Sequence, residues 1–231
     1  MYNFTLYADD ISLQLSSNID EISIHEKLNA VQQYLADLNL LLNPQKTKLI
    51  SFSANNARSN KFELDIYLND HPLEQVNEIK FLGIQVNKTL NWDSHVEVVC
   101  QKISSGLFVL RKISNICGTE TLKSVYFAFI HSHISFGVIL YGSTSQNNLN
   151  KILRLQKHAI RIIKRLKWFD SAKEHFVELG IMTIFSLYIF ELIMSVKTNV
   201  HNMPTLGSSH SYNTRHKDHI SFKYHNLSFF S

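Results

Sequence analysis

The spacing of the apolar residues changes near residue 90, and this change limits what the chain can fold into. Before it, short runs of apolar residues alternate with polar ones, as in strands, around one longer segment with helical spacing. After it, apolar residues recur every three or four positions, which indicates helices. The sequence therefore predicts an α+β region over residues 1–90, an all-helical region over 91–200, and an extended polar tail over 201–231.

The N-terminal region is expected to begin with a β-hairpin and a helix. Two alternating apolar runs within Tyr2–Leu15 flank a polar break, which predicts two antiparallel strands joined by a tight turn. Apolar residues then recur at intervals of four and three from Ile24 to Leu42. This spacing predicts an amphipathic helix, and Asn43-Pro44 is expected to end it.

Shorter strands and several helices complete the expected fold. Phe62–Leu68 and Val76–Val86 are predicted to pair with each other across an Asn69-Asp70 turn, and Lys48–Phe52 is a third short strand. The expected helices are one from Val96 that ends at Gly118, followed by others over residues 120–141, 147–167 and 171–199.

The composition allows a sizeable apolar core. Hydrophobic residues make up 45% of the 231 residues and charged residues 18%, which excludes a disordered, collagen-like or low-complexity chain. Two cysteines, Cys100 and Cys117, are too few for a disulfide scaffold, and the N-terminus lacks the features of a signal peptide. Both observations predict an intracellular protein, cytoplasmic or nuclear, that is not secreted.

Two segments with little charge raise the question of membrane spans. Val125–Gly142 has no Asp, Glu, Lys or Arg, and Leu179–Val196 has only Glu191. Both are near the minimum length of a span and contain polar residues, and a charge at the centre of a membrane is costly. Buried helices are therefore favoured, and no membrane partner is expected.

Positive charge is concentrated in residues 151–167. This segment has seven Lys or Arg and no acid, and because the whole chain carries +4, the rest of the chain carries −3. Cations recur at helical spacing on one face and apolar residues on the other, so one face can pack while the other meets phosphates. A solvated face is the alternative, although such faces usually include acids. The predicted nucleic-acid contacts are Lys151, Arg154, Lys157, Arg161, Lys164 and Arg165.

Two aromatic residues and a group of histidines follow the basic segment. Trp168 and Phe169 are expected to plug the core, with stacking on a base as the alternative. The C-terminal tail is rich in histidine but has no cysteine, and His216 and His219 lack a second pair of ligands. A zinc knuckle is therefore disfavoured.

Two adjacent carboxylates, Asp9 and Asp10, occupy the polar break of the first hairpin. Like charges this close repel each other, and a divalent cation relieves the repulsion. Carboxylate oxygens are hard ligands of the kind that Mg2+ prefers. The alternative is that Asp-Asp is simply favourable turn chemistry.

Several motifs together resemble the palm of a reverse transcriptase, of the type found in non-LTR (LINE-type, jockey-like) retrotransposons. Their order and spacing match that family, and the resemblance extends over nearly the whole chain. The matching segments are Tyr7-Ala8-Asp9-Asp10, Asn43-Pro44-Gln45-Lys46-Thr47-Lys48, Lys80-Phe81-Leu82-Gly83-Ile84, Trp92–His95, Ile139-Leu140-Tyr141-Gly142, Leu155–Arg161 and Tyr212-Asn213-Thr214-Arg215.

The resemblance implies a partial polymerase palm, with an antiparallel sheet and one packed helix, followed by a helical thumb-like region. It implies that Asp9 is a ligand of a two-metal Mg2+ site and that Asp10 supports it. It also implies that Lys46 neutralises or protonates the leaving pyrophosphate and that Tyr7 lies near the minor groove of the primer–template. Surface lysines are common, so a solvated Lys46 is the alternative.

The Phe81-Leu82-Gly83 segment matches the primer-grip hairpin of the family, where glycine permits close approach of the backbone to nucleic acid. A hydrophobic strand packed under the palm is an equally good interpretation, and both can hold. The implied partners are an RNA template and a DNA primer, bound as an RNA–DNA hybrid.

The family places its fingers and another metal-binding aspartate upstream of the Tyr7 motif, and this chain opens six residues before Tyr7. We therefore expect a fragment of an RNA-directed DNA polymerase that needs a missing N-terminal polymerase half and is inactive alone. The alternative hypothesis is a non-catalytic RNA- or DNA-binding module derived from such an element.

Overall fold

A computed structural model describes residues 2–7, 10–15, 21–52, 65–203, 205, 212, 215 and 219–220. The strands are β1 (Tyr2–Tyr7), β2 (Asp10–Leu15), β3 (Lys48–Leu49), β4 (Tyr67–Leu68), β5 (His71–Pro72), β6 (Glu74–Gln75), β7 (Glu78–Phe81) and β8 (Ile84–Asn87). The helices are α1 (Glu21–Asp37), α2 (Asp93–Ile113), α3 (Thr119–Tyr126), α4 (Ser132–Ser135), α5 (Val138–Tyr141), α6 (Gln146–Lys164), α7 (Lys173–Glu178) and α8 (Ile184–Asn199), with a π-helical segment at Phe127–His131 and a 3-10 turn at Val200–Asn202. Helices and small, mostly antiparallel sheets make this an α+β fold, as predicted.

The chain divides into two compact units. The N-terminal unit comprises residues 1–102 and 144–148, and the C-terminal unit comprises 103–143 and 149–231. The division into palm, thumb and tail stays a prediction.

The first hairpin is confirmed. Strands β1 and β2 are antiparallel, and Tyr7 pairs with Asp10, so only Ala8 and Asp9 separate the two strands. Asp10 is therefore the first residue of β2 and not a turn residue, whereas Ala8 and Asp9 lie outside the described residues.

Helix α1 forms as predicted but ends at Asp37, five residues before the expected end at Leu42. Asn39 has a positive φ of 57°, and the amide of Leu40 donates to the carbonyl of Leu35 at 2.8 Å. This is a Schellman ending, with asparagine at the left-handed position that glycine usually takes. The apolar period continues past the end of the helix, and for that reason the pattern overestimated its length.

The predicted pairing of strands across the Asn69-Asp70 turn is wrong. Each segment instead folds into its own hairpin, β4 with β5 and β7 with β8. The two-residue turns have positive φ at both positions, 51° and 61° at Asn69 and Asp70, and 46° and 83° at Leu82 and Gly83. Positive φ at both central residues is the signature of type I′ turns, which join adjacent strands tightly.

The third predicted strand is shorter than expected and has a different partner. Strand β3 ends at Leu49 and pairs in parallel with β6, and the Lys48 ammonium forms an ion pair with Glu74 across this pair. Residues 53–64 hold the expected loop and part of the expected Phe62–Leu68 strand, and they lie outside the described residues.

The helix expected over residues 120–141 is interrupted twice. A π-helical segment at Phe127–His131 follows α3, and Gly137, with φ of 70°, separates α4 from α5. Helix α2 passes close to the π-helical segment, because a Cβ at Gly106 would lie 2.7 Å from Ile130 Cγ1. Only glycine fits at this approach. Helix α2 itself confirms the prediction of a helix from Val96, although it ends at Ile113.

The helix expected over residues 171–199 is also two helices. The chain between α7 and α8 turns at Gly180, and the amide of Ile181 donates to the carbonyl of Phe176 at 2.9 Å. Thr183 then caps α8, since its side chain accepts from the amide of Ser186. Helix α6 confirms the remaining prediction, with its last helical residue at Lys164 rather than at 167.

Helix α8 is buried along one side only. Ile184 and Leu187 are buried, whereas Ile189 and Ile193 are 55% and 59% exposed. The expectation of a fully buried helix is therefore wrong for its second half. Within the described part of the chain, no helix combines the length and the apolar character that a membrane span needs.

A buried glutamine joins three elements of the C-terminal unit. Gln156, on α6, is fully buried, and its Nε2 donates to the hydroxyl of Tyr126 at 3.0 Å and to the carbonyl of Met182 at 3.1 Å. Its Oε1 accepts from the amide of Ile184 at 2.8 Å, at the start of α8. Burial raises the pKa of Tyr126 to about 12 against the effect of this hydrogen bond, so the hydroxyl stays neutral.

We expect replacement of Gln156 by Leu to destabilise the protein by about 2 kcal/mol or more, because the buried amide of Ile184 and the buried hydroxyl of Tyr126 lose their partner at roughly 1–3 kcal/mol each. The matched control is Gln33→Leu, which removes an exposed hydrogen bond to Asp37 and should change stability by about 0.5 kcal/mol or less. Urea unfolding followed by circular dichroism measures both. Equal effects of the two variants would contradict the structural role of Gln156.

Candidate nucleic-acid interface

The carboxylate pair of the first hairpin is only partly described. Asp10 is exposed and forms no ion pair with another described residue, so its hard oxygen atoms suit one position of a Mg2+ site. Asp9 lies outside the described residues, and no group of three potential metal ligands occurs among those that are described. Tyr7, opposite Asp10, is 65% exposed and stands where a nucleic acid can reach it.

Lys46 lies in a compact turn. The amide of Gln45 donates to Asn43 Oδ1 at 3.0 Å, and the Thr47 hydroxyl donates to the carbonyl of Asn43 at 2.9 Å. Asn43 thus stabilises the turn through both its side chain and its backbone carbonyl. Lys46, within the turn, is exposed. The catalytic role of Lys46 stays a prediction.

The Leu82-Gly83 turn forms the tip of the β7–β8 hairpin. Both residues are exposed, while Phe81 beside them is half-buried. The tip therefore presents backbone to solvent. Among the described residues, no hydrogen bond or ion pair joins Asp10, Lys46 and this turn.

The first half of the basic face of α6 is open. Lys151 and Arg154 are exposed and Lys157 is half-buried, and none of the three pairs with another described residue. These side chains are free to reach phosphate groups.

The second half of the basic face is held by the protein itself. Lys164 forms an ion pair with Glu178, and Arg161 Nε donates to the carbonyl of Asp170 at 3.1 Å. Arg165 Nη2 donates to the carbonyls of Ser114 at 3.1 Å and Cys117 at 3.3 Å, just beyond the end of α2. The sequence pattern did not predict these bonds, because their partners come from distant segments.

A basic cleft of about 310 Å3 lies beside this second half. Its lining includes three arginines, one histidine and one tryptophan, and it contains no acid. We call it the arginine cleft, formed mainly by Arg111, Asn115, His158, Arg161, Arg165 and Trp168. Arg111 was missed by sequence reasoning, because it belongs to the last turn of α2 and not to the basic segment.

Trp168 and Phe169 do not plug the core, so that prediction is wrong. Their side chains are 73% and 80% exposed. The ring of Trp168 stands edge to face with that of His158, with centroids 5.3 Å apart, and the guanidinium of Arg161 lies 5.9 Å from the Trp168 centroid. Trp168 therefore remains available for stacking.

The surroundings of His158 favour the neutral imidazole. Burial lowers the pKa of His158, and the charges of Arg111 and Arg161 lower it further. Arg111 Nη2 lies 3.1 Å from His158 Nε2 and 3.5 Å from Nδ1, so the guanidinium packs against the imidazole ring near both of its nitrogens.

Comparison with known proteins identifies relatives of this chain. Residues 1–86 match the family model of reverse transcriptase (RNA-dependent DNA polymerase). The chain is 27% identical to a probable RNA-directed DNA polymerase from transposon BS of Drosophila melanogaster, over 77% of this chain and 20% of that protein. It is 25% identical to the RNA-directed DNA polymerase from the mobile element jockey of the same organism, over 73% of this chain and 19% of that protein.

A probable RNA-directed DNA polymerase from the Drosophila melanogaster transposon X-element is 19% identical, over 78% of this chain and 20% of that protein. The chain thus spans about a fifth of the length of these relatives. No solved structure matches the chain. Non-LTR retrotransposon polymerases are therefore homologues of this protein, and the resemblance inferred from its motifs is confirmed.

We expect the NMR titration of His158 to have its midpoint below the ordinary pKa of 6.5, and Arg111→Gln to move the midpoint upward by removing one of the charges that depress it. Lys112→Gln, next along α2, is the matched control and should shift it less. Because the unfolded state binds the proton more readily, stability should fall as the pH drops below 6.5. A midpoint at or above 6.5 would mean that burial and the neighbouring arginines do not lower the pKa of His158.

Proposed function

We propose that this chain is part of an RNA-directed DNA polymerase of a non-LTR retrotransposon, and that it holds an RNA–DNA hybrid. The observation that carries the proposal is the Tyr7-Ala8-Asp9-Asp10 hairpin, which lies inside the segment that matches the reverse transcriptase family. In this proposal the β-strands and α1 belong to a palm, and the later helices form a thumb-like region.

The hairpin supplies the chemistry in this proposal. Asp9 and Asp10 provide hard oxygen ligands for Mg2+, and a bound Mg2+ offsets negative charge on phosphate groups. Tyr7 lies near the minor groove of the primer–template, and the Leu82-Gly83 tip approaches the nucleic acid closely. Lys46 provides a cation for the leaving pyrophosphate.

The open first half of the basic face of α6 binds the nucleic acid in this proposal. Lys151, Arg154 and Lys157 carry positive charge that no described acid neutralises, as a surface for a nucleic-acid backbone requires. Their helix lies beyond residues 1–86, so binding and chemistry use different parts of the chain. This separation also favours a second candidate, a non-catalytic nucleic-acid-binding module that uses α6 alone.

We expect the double variant Lys151→Gln/Arg154→Gln to bind an RNA–DNA hybrid less tightly and with a weaker dependence on salt. Each lost phosphate contact removes roughly 0.7–0.9 from the slope of log affinity against log salt, so the slope should shrink by about 1.4–1.8. Fluorescence anisotropy over a salt series measures it.

The matched control for this experiment is Lys173→Gln/Lys197→Gln, which removes two exposed cations from other helices. Glutamine preserves helix propensity, so circular dichroism should show all variants folded. An equal change of slope in both double variants would mean that total charge, not the open face of α6, drives binding.

We expect Asp9 to be essential in a chimera in which this chain replaces the corresponding region of the transposon BS polymerase. Loss of a metal ligand removes several kcal/mol of transition-state stabilisation, so Asp9→Asn should reduce primer extension on an RNA template by about 100-fold or more. Asp70→Asn, in the exposed β4–β5 turn, is the control and should retain activity.

The chimera also separates the two candidate functions. Primer extension that survives Asp9→Asn would mean that Asp9 is only a turn residue, and it would favour the non-catalytic module. Circular dichroism and hybrid binding of each variant show that a loss of activity is not a loss of fold.

A further inference from the structure

The three guanidinium groups of the arginine cleft are fixed in place yet only partly used. In bonds with described residues, Arg161 uses Nε alone, and Arg111 and Arg165 each use Nη2 alone. Each group therefore keeps two nitrogen atoms for a ligand. Because the existing bonds already restrain these side chains, they lose little further conformational entropy when an anion binds.

The chemistry of the cleft suits a phosphodiester. Its lining carries three permanent positive charges and no acid, and the planar guanidinium matches the geometry of phosphate oxygens. The imidazole of His158 lies against the Arg111 guanidinium, with Nε2 3.1 Å and Nδ1 3.5 Å from Nη2, and so helps to hold this guanidinium in the cleft. Because the pKa of His158 is lowered, the three arginines supply the positive charge of the lining.

The exposed indole beside the cleft favours a single strand over a duplex. The cleft volume of about 310 Å3 is at the lower end of small-ligand sites and has room for about one nucleotide. Trp168 stands at the cleft with most of its ring exposed, and aromatic side chains of this kind stack on unpaired bases.

We propose that the arginine cleft binds single-stranded nucleic acid, with a phosphate on Arg111, Arg161 and Arg165 and a neighbouring base stacked on Trp168. An acidic peptide could supply the anion but would not need the exposed indole, which favours the nucleic acid. The inference rests on the proposed function for the class of ligand, and it assigns a second surface that takes a different form of that ligand from the open face of α6.

The experiment measures binding of the full chain to a labelled single strand of roughly 10 nucleotides, a length typical of such sites. Trp168→Ala should weaken binding by roughly five-fold to 100-fold, which is what one stacked base contributes. Phe169→Ala is the matched control, since Phe169 is equally exposed but does not line the cleft, and it should bind as the original chain does. Single strands should also quench tryptophan fluorescence, and Trp168→Phe should abolish the quenching.

The phosphate half of the site has its own test. Arg111→Gln should reduce the salt slope for the single strand by about 0.7, the value for one contact on a single strand, and Lys112→Gln should not. Both variants remove one charge from the same turn of α2.

Three further ligands distinguish the alternatives. An abasic strand of equal length that binds as tightly as the normal strand, and is insensitive to Trp168→Ala, would overturn stacking. An oligoglutamate peptide that quenches Trp168 as strongly would overturn the assignment to nucleic acid. An RNA–DNA hybrid that depends equally on Trp168 would overturn the preference for single strands.

Failure of this inference and failure of the proposed function give different results. If the cleft is not a site, hybrid binding through Lys151 and Arg154 persists while Trp168→Ala has no effect on single strands. If hybrid binding is absent, quenching of Trp168 by single strands still supports the cleft.

Discussion

The buried hydrogen bonds of Gln156 organise the C-terminal unit. One side chain satisfies the carbonyl before α8, the first amide of α8 and the hydroxyl of Tyr126 on α3. An apolar side chain at this position of α6 would leave the amide of Ile184 and the hydroxyl of Tyr126 without this partner in the buried interior, and the part-buried carbonyl of Met182 would lose its bond as well. The polar bonds therefore determine where α8 begins, while the surrounding apolar residues supply the burial.

The orientation of α6 that Gln156 secures also creates the arginine cleft. Buried Ile152, Ala159 and Ile163 direct one side of α6 inward, so its cations must lie on the other side. Toward the C-terminal end of α6 this face meets the end of α2, where Arg111 and the carbonyls of Ser114 and Cys117 are available. Toward its N-terminal end no described acid pairs with the cations. One amphipathic helix thus has two basic surfaces of different character.

Sequence periodicity predicted the helices and strands that local spacing determines. It failed where tertiary contacts or backbone torsion angles determine the end of an element or the pairing of strands. Alternation identified the first hairpin, and the helical period identified α1, α2 and α6. The end of α1 depends on a left-handed Asn39, and the β7–β8 hairpin depends on positive φ at Leu82, and neither is visible as a change in hydrophobic period. The cleft required Arg111 and His158, 47 residues apart, to meet. The hairpin motif was identifiable from its residues alone because the turn and its two carboxylates belong to one short segment.

Arg165 combines a strained backbone with two stabilising hydrogen bonds. Its backbone lies in the left-handed region with φ of 55°. This conformation costs a residue with a Cβ atom roughly 1–2 kcal/mol of steric strain, which glycine does not have. Its guanidinium offsets this cost by bonding two backbone carbonyls, and the same group faces the cleft. Glycine at position 165 would relax the backbone but would remove the two carbonyl bonds and the cation together. The fold and the cleft therefore depend on the same side chain, so both would resist its replacement.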